Sequence, residues 1–375
     1  MNPRIALGGL RIARILGIPI YIHFSWLIIF GLIAWTLATG YFPQNYPDLP
    51  ASSYWAKGLV ASFLFFLSIL LHELGHSVVA LRHHIKIRSI TLFIFGGVAQ
   101  LGKEPEDGAA EFKIAIAGPL VSFALAGLFY VISTLNLVGA FLLPVTLYLS
   151  FINLILALFN LIPAFPLDGG RILRGLLWKR FGKAKATRIA ATGGSLFAYF
   201  LIFTGVVGLL RGAGIAGVWN ILIGWFLKDA SSGAYQMVRF DEALQGMRVG
   251  DVMLQEIKTV PAHISLAVAA RDYFLHTGYG SYPVQRDDAV VGLLCLRDIQ
   301  RHPSQEREST SVQAAMTPLS EQITVAPDEP LLRAAAKMAA GGVGRLLVMR
   351  DGQLVGMLTM NSLMRHLRIR EELAA

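Results

Sequence analysis

A helix needs about twenty apolar residues to cross lipid hydrocarbon, and the first 230 residues of this chain offer six candidate stretches, near 20–39, 57–82, 109–134, 140–163, 190–210 and, shorter than the rest, 215–228. Residues 239–375 read differently, with charges spaced as in an ordinary soluble domain. Composition agrees: of 375 residues, 54% are hydrophobic and only 15% charged. The chain therefore reads as a polytopic α-helical membrane domain of about six spans, followed by a soluble α/β region.

Lys and Arg test the count. Arg82, Lys86, Arg88, Lys103 and Lys113 lie between the second and third stretches, and seven more run from Arg171 to Arg188. The alternate connections hold only Lys57, no basic residue in 135–140, and Arg211. The positive-inside bias then places both termini in the cytoplasm of a cell-membrane protein. It also accounts for the net charge of +9 without nucleic acid, because the basic residues flank apolar helices and form no soluble basic face. Arg4, Arg11 and Arg14 precede the first stretch, but no small-residue cleavage site follows residues 23–35, so the first helix is expected to be retained. A single cysteine, Cys295, excludes an internal disulfide and a thiolate metal cage.

The second stretch ends in His72-Glu73-Leu74-Gly75-His76. One helical turn separates the imidazoles, so they share a face and can hold one zinc ion. Glu73 is then placed to take a proton from the attacking water and pass it to the leaving amine. Ionisable groups in so apolar a helix are costly and usually functional. A third ligand is needed, and positions 79 and 82, where soluble relatives of this pattern carry Gly and His, are Val79 and Arg82. His83 shares the face but lies among His84, Arg82 and Lys86. Asp168 closes a long apolar segment with no other evident partner for its charge. It sits in NLIPAFPLDGGR, where Pro163 and Pro166 break the helix and Gly169 and Gly170 allow close approach, so its carboxylate can turn inward or cap a helix starting at Gly169. Asn160 can donate to the developing oxyanion or make an interhelical hydrogen bond. Residues 89–101, SITLFIFGGVAQL, are too short to span as a helix and read as strand, re-entrant if they lie at membrane depth.

HELGH in a membrane helix, followed some ninety residues later by NLIPAFPLDGGRIL, resembles the site-2 protease family of intramembrane zinc metalloproteases, over roughly residues 18–188. The resemblance implies zinc on His72, His76 and Asp168, Glu73 as base, Asn160 assisting, a cytosol-facing cleft, and single-pass membrane proteins as substrates cut in regulated intramembrane proteolysis. It departs from many relatives in having no insertion large enough for a PDZ domain, and in Ser122, where the family often has Asn. His23, in the first stretch, is a further candidate to approach the site, although a lone membrane histidine more often packs or hydrogen-bonds.

Past Lys228 the chain repeats with a period of about 64: Val252-Met253, Thr259-Val260, Val284 and Gly292-Leu293-Leu294 return as Ala315-Met316, Thr324-Val325, Val348 and Gly356-Met357-Leu358. Each copy reads as a strand, a helix (266–275 or 331–340), a strand pair and a closing helix, and neither offers much core alone. The repeat resembles a tandem pair of CBS domains, 249–303 and 312–369, behind a membrane domain at 1–230 and a linker at 231–248. Such pairs hold ATP or AMP through a strand-end Thr or Ser and an Asp three residues on. Copy one has Cys295 and Asp298, copy two Thr359 and Ser362, so Asp298 and Thr359 are the candidate nucleotide contacts, with homodimerisation the other role implied. Because CBS pairs also hang from transporters and channels, a metal-ion pathway through His72, His76 and Asp168 is the rival reading. Glu73 favours hydrolysis, which needs a non-ligand carboxylate where transport does not. A silent zinc-bearing scaffold is a third.

Overall fold

The computed structural model describes residues 9–212, 214–276, 279–341 and 343–374. It divides into two compact units, Met1–Val238 and Arg239–Ala375.

In the first unit, strands β1 (Gly9–Ile15) and β2 (Ile18–His23) form a hairpin ahead of α1 (Phe24–Thr36), which continues through a wide π turn (Leu37–Tyr41) into α2 (Phe42–Asn45). The first apolar stretch therefore becomes helix only at Phe24, several residues later than its hydropathy suggests. Ile18 and Ile20 alternate into the sheet, 2% and 0% exposed, a period of two that only a strand satisfies. His23 ends the strand and caps the helix, its Nδ1 accepting from the Ser25 amide at 3.3 Å.

The long α3 (Ala51–Arg82) carries HELGH near its C-terminal end, and His83 closes it as C-cap. Strands β3 (Ile87–Phe93) and β4 (Gly96–Leu101) follow, so residues 89–101 are extended as the sequence indicates. The sheet order is β1-β2-β3-β4, β2 to β3 parallel and the other pairs antiparallel, which leaves β4 as an edge. Next come α4 (Gly108–Thr134), α5 (Gly139–Asn160), α6 (Asp168–Phe181), α7 (Lys183–Leu210) and α8 (Ile215–Leu244). The break between α5 and α6 falls at NLIPAFPL, where the two prolines cannot continue a helix.

Among the described residues, five helices are long and apolar enough to cross a membrane: Phe24–Asn45, Ala51–Arg82, Gly108–Thr134, Gly139–Asn160 and Lys183–Leu210. The sixth stretch, 215–228, opens α8 but is not among them, because Lys228 and Asp229 and the polar residues after them end its apolar run. The region read from sequence as a linker is helical as far as Leu244.

The second unit holds two similar halves. The first has β5 (Val260–Pro261), α9 (Leu266–Val268) running into a π turn to Leu275, β6 (Ser281–Arg286), β7 (Ala289–Cys295) and α10 (Leu296–Gln300). After α11 (Val312–Ala315) and β8 (Thr317–Pro318), the second has β9 (Thr324–Val325), α12 (Leu331–Gly341), β10 (Arg345–Arg350), β11 (Gln353–Thr359) and α13 (Met360–Ala374). The halves exchange edges. Thr317 of the second pairs with Leu293 of the first, and Leu254 of the first pairs with Met357 of the second through two 2.9 Å backbone hydrogen bonds. Gly292 and Gly356 permit this, because a Cβ at either would strike the Met316 or Met253 side chain of the crossing segment. Each core is completed from the other half: Val249 and Val252 join that of copy two, and Val312 and Met316 that of copy one.

Candidate metal centre

Three buried groups converge where α3, α4 and the start of α6 meet. His72 Nε2 lies 3.1 Å from Asp168 Oδ2, His76 Nε2 lies 3.2 Å from the same oxygen, and the two Nε2 atoms are 3.2 Å apart. Among the described residues this is the one group of three or more His, Cys, Asp or Glu able to share a metal ion. His83, the alternative third ligand, lies outside it as the α3 C-cap.

The donors suit zinc. Zinc holds nitrogen and oxygen ligands at about 2.0–2.1 Å in a tetrahedron, whose edges are then about 3.3 Å, close to the three separations here. Each imidazole is also turned so that Nε2 faces the centre. His76 Nδ1 donates to the Ile114 carbonyl at 2.7 Å, which fixes its proton on Nδ1 and leaves Nε2 as the lone-pair donor. His72 Nδ1 makes a 2.9 Å hydrogen bond with Ser122 Oγ, the residue where the family often has Asn, so the shorter side chain still reaches its ring. Gly118 lies between these two α4 supports, and a Cβ there would fall 2.6 Å from His72 Nε2 and closer still to His76. Only glycine lets α4 come so near.

Asp168 is the first residue of α6, not the cap before it: Leu167 holds the N-cap position without a side-chain bond, and the Asp168 carboxylate turns to the histidines. The preceding loop is anchored so that it can do so. Phe165 N donates to Ala190 O at 3.1 Å, and Ser231 Oγ donates to Phe165 O. Gly169 and Gly170 sit so tightly on the backbone of residues 161–165 that no side chain could be accommodated.

Glu73 is half-buried beside the triad. Gly97 of β4 packs on it, with room for no Cβ: one would sit 2.6 Å from Glu73 Cγ and 3.2 Å from Oε1. The edge strand of the sheet thus runs directly past this carboxylate. Asn160, the last residue of α5, is half-buried and donates Nδ2 to Leu156 O at 3.0 Å, leaving its second N–H and its carbonyl free of this bond. His23 is engaged with Ser25, whose hydroxyl also accepts from Ile94 N at 3.2 Å. Through Ser25 it is linked to the β3–β4 turn, and it is not one of the three grouped ligands.

In the second unit, Asp298 is buried and accepts from Cys295 N at 2.9 Å, with Arg301 3.6 Å away. Burial, and after it the Asp298 carboxylate, push the Cys295 thiol above its ordinary range, which keeps it protonated. Thr359 Oγ1 accepts from Ser362 N at 3.0 Å. The two candidate contacts occupy equivalent strand-to-helix corners of the two copies. Sequence reading gave no role to the supports Ile114, Gly118 and Gly97, since a backbone carbonyl and two glycines carry no chemical signature. The Gly-Pro and Gly-Gly pairs were the available hint.

Comparison with known proteins shows the family. The profile of Peptidase family M50 matches residues 60–142 and 136–203, and that of the CBS domain matches 249–304 and 312–369. The chain is 36% identical to the protein Rip3 of Mycobacterium tuberculosis strain H37Rv over 94% of its own length and 91% of that protein's. With the zinc metalloprotease MJ0392 of Methanocaldococcus jannaschii it shares 31% identity over 97% of each chain. Among solved structures, the site-2 protease from Methanocaldococcus jannaschii matches at 35% identity, covering 60% of this chain and 95% of that one, with a TM-score of 0.44. The chain belongs to peptidase family M50, the site-2 protease family of membrane zinc metalloproteases, in a form that carries a CBS pair.

Proposed function

We propose that this metalloprotease cuts peptide bonds within or beside the transmembrane segments of single-pass membrane proteins, in regulated intramembrane proteolysis. On this reading His72, His76 and Asp168 hold one zinc ion and Glu73 is the general base. The observation that carries it is the juxtaposition of a buried His₂Asp triad, a non-ligand glutamate and a free strand edge on helices of membrane-crossing length. Zinc, when bound, supplies Lewis acidity toward the scissile carbonyl and the attacking water. The rest falls to the chain's own residues. Glu73 takes a proton from the water and returns it to the leaving nitrogen, a role open to it because its carboxylate is not one of the three convergent donors. The edge of β4 offers backbone N–H and C=O groups to an extended substrate, which must unwind, since a helix hides its own backbone. Asn160 keeps an N–H with which to meet the oxyanion.

Glu73→Gln should keep zinc and fold while cleavage falls by about 10²–10⁴-fold, the usual worth of a general base. The check is mass-spectrometric mapping of new termini on a single-pass substrate in detergent or proteoliposomes, and wild-type turnover by this variant would overturn the mechanism.

The same reading gives about six spans, 1–230 as the catalytic domain, and 249–369 as a cytoplasmic CBS module. The basic loops flanking α3, α6 and α7 support that orientation. Its partners are the lipid bilayer, the substrates, and a second copy of the chain through the CBS pair. Adenine nucleotide at Asp298 and Thr359 would regulate cleavage by favouring one arrangement of that pair. ATP or AMP should then bind the full chain by calorimetry and alter cleavage, both effects weakening together in Asp298→Ala. Binding that leaves cleavage unchanged would reduce the module to a dimerising or docking role.

A further inference from the structure

Glu111, in the first turn of α4, is fully buried, and Arg174 of α6 is 6% exposed. Arg174 Nε lies 2.9 and 3.0 Å from the two Glu111 oxygens, its Nη2 is closer still, and Arg171 Nε stands 3.8 Å off. Beside the pair the helices touch without side chains between them: a Cβ on Gly175 would fall 2.7 Å from Gly108 O, and one on Gly108 would strike Gly175 O. A buried ion pair of this kind adds little net stability, because desolvation offsets the attraction, whereas its geometry is demanding.

The two joined helices carry the two halves of the metal centre. α4 supplies Ile114 O and Ser122 Oγ, which orient His76 and His72, and α6 supplies Asp168. Ile114 and Ser122 lie three and eleven positions past Glu111, and Asp168 six positions before Arg174, so at 1.5 Å per residue Asp168 stands about 9 Å from the clamp. A change of about 6° in how the helices cross would displace Asp168 by about 1 Å, whereas zinc ligation tolerates about 0.2 Å.

We propose that the Glu111–Arg174 ion pair is a positioning device for the metal centre, fixing the contact of α4 with α6 so that Asp168 stays opposite His72 and His76. This rests on the reading of that triad as zinc ligands, and the test keeps the two apart. Glu111→Leu with Arg174→Met replaces the pair with apolar groups of similar volume, a change that usually preserves stability. In full-length protein in detergent, the double variant should unfold near the wild-type temperature when free of metal. It should bind zinc at least tenfold more weakly in chelator competition, lose kcat with little change in KM, and show an altered visible spectrum with Co²⁺ in place of zinc. Excess zinc should restore part of its activity. Arg174→Lys keeps the charge but loses the planar fork, and should weaken zinc to a smaller extent; it serves as the readout if the double variant does not fold. Wild-type zinc affinity in whichever of the two folds overturns the proposal, provided His72→Ala abolishes binding. Zinc retained by His72→Ala would instead sink the ligand reading itself.

Discussion

Two imidazoles and a carboxylate with donor atoms 3.1 to 3.2 Å apart repel or bridge awkwardly unless a cation or a proton lies among them, so each residue around them can be assessed by what it does to that geometry. Asp168→Asn replaces an anionic oxygen with a neutral one and should weaken zinc more than the 10–100-fold typical of losing a supporting hydrogen bond. Ser122→Ala removes such a support from His72 Nδ1 and belongs in that 10–100-fold range. Gly118→Ala places a methyl against both rings and should release the metal outright. Chelator competition on the three variants checks the order, and equal affinity across the set would mean that zinc is held elsewhere.

At the scale of elements, the proposed function has the β3–β4 hairpin set how a substrate approaches. Its edge strand passes Glu73 through Gly97, so the backbone of a peptide added to β4 would lie alongside the base. Proline at a residue whose N–H points to the free edge leaves the sheet intact but removes one hydrogen bond to the added strand. Prolines placed singly at Val98, Ala99 and Gln100 should therefore lower cleavage in alternation, sharply at edge-facing positions, with zinc content unchanged. Terminus mapping on each variant reads this out, and uniform wild-type cleavage would rule out strand addition. The hairpin was legible as extended chain from its β-branched and aromatic residues and its paired glycines. Its pairing with β2 was not, since parallel partners seventy residues apart leave no local pattern.

At the scale of the whole molecule, the two CBS copies depend on each other. Separated, copy one loses β8 from its sheet and copy two the Leu254 bridge, and each loses Val and Met side chains that complete its core. Burial of each such side chain contributes about 1.5–3 kcal/mol, so the loss of Val249, Val252 and Met253 would take ~5 kcal/mol from a module whose total stability is of order 5–15 kcal/mol. Residues 239–311 or 312–375 expressed singly should give no cooperative thermal transition by circular dichroism, whereas 239–375 should give one. A folded single copy would show the exchange to be dispensable. The sequence by itself determined the membrane character and the repeat and singled out His72, Glu73, His76 and Asp168 as candidates, because hydropathy, period and motif spacing act locally along the chain. It placed the start of the first span near residue 20, ahead of Phe24, since the apolar residues of β2 suit a strand as well as a helix. Only the tertiary structure brought Asp168 to the histidines across ninety residues and seated Gly97 on Glu73. It alone set Gly118 against both rings and joined Glu111 to Arg174 between α4 and α6, because which helices touch depends on close approach between distant segments, and that contact is written in glycines and backbone atoms that look alike wherever they occur.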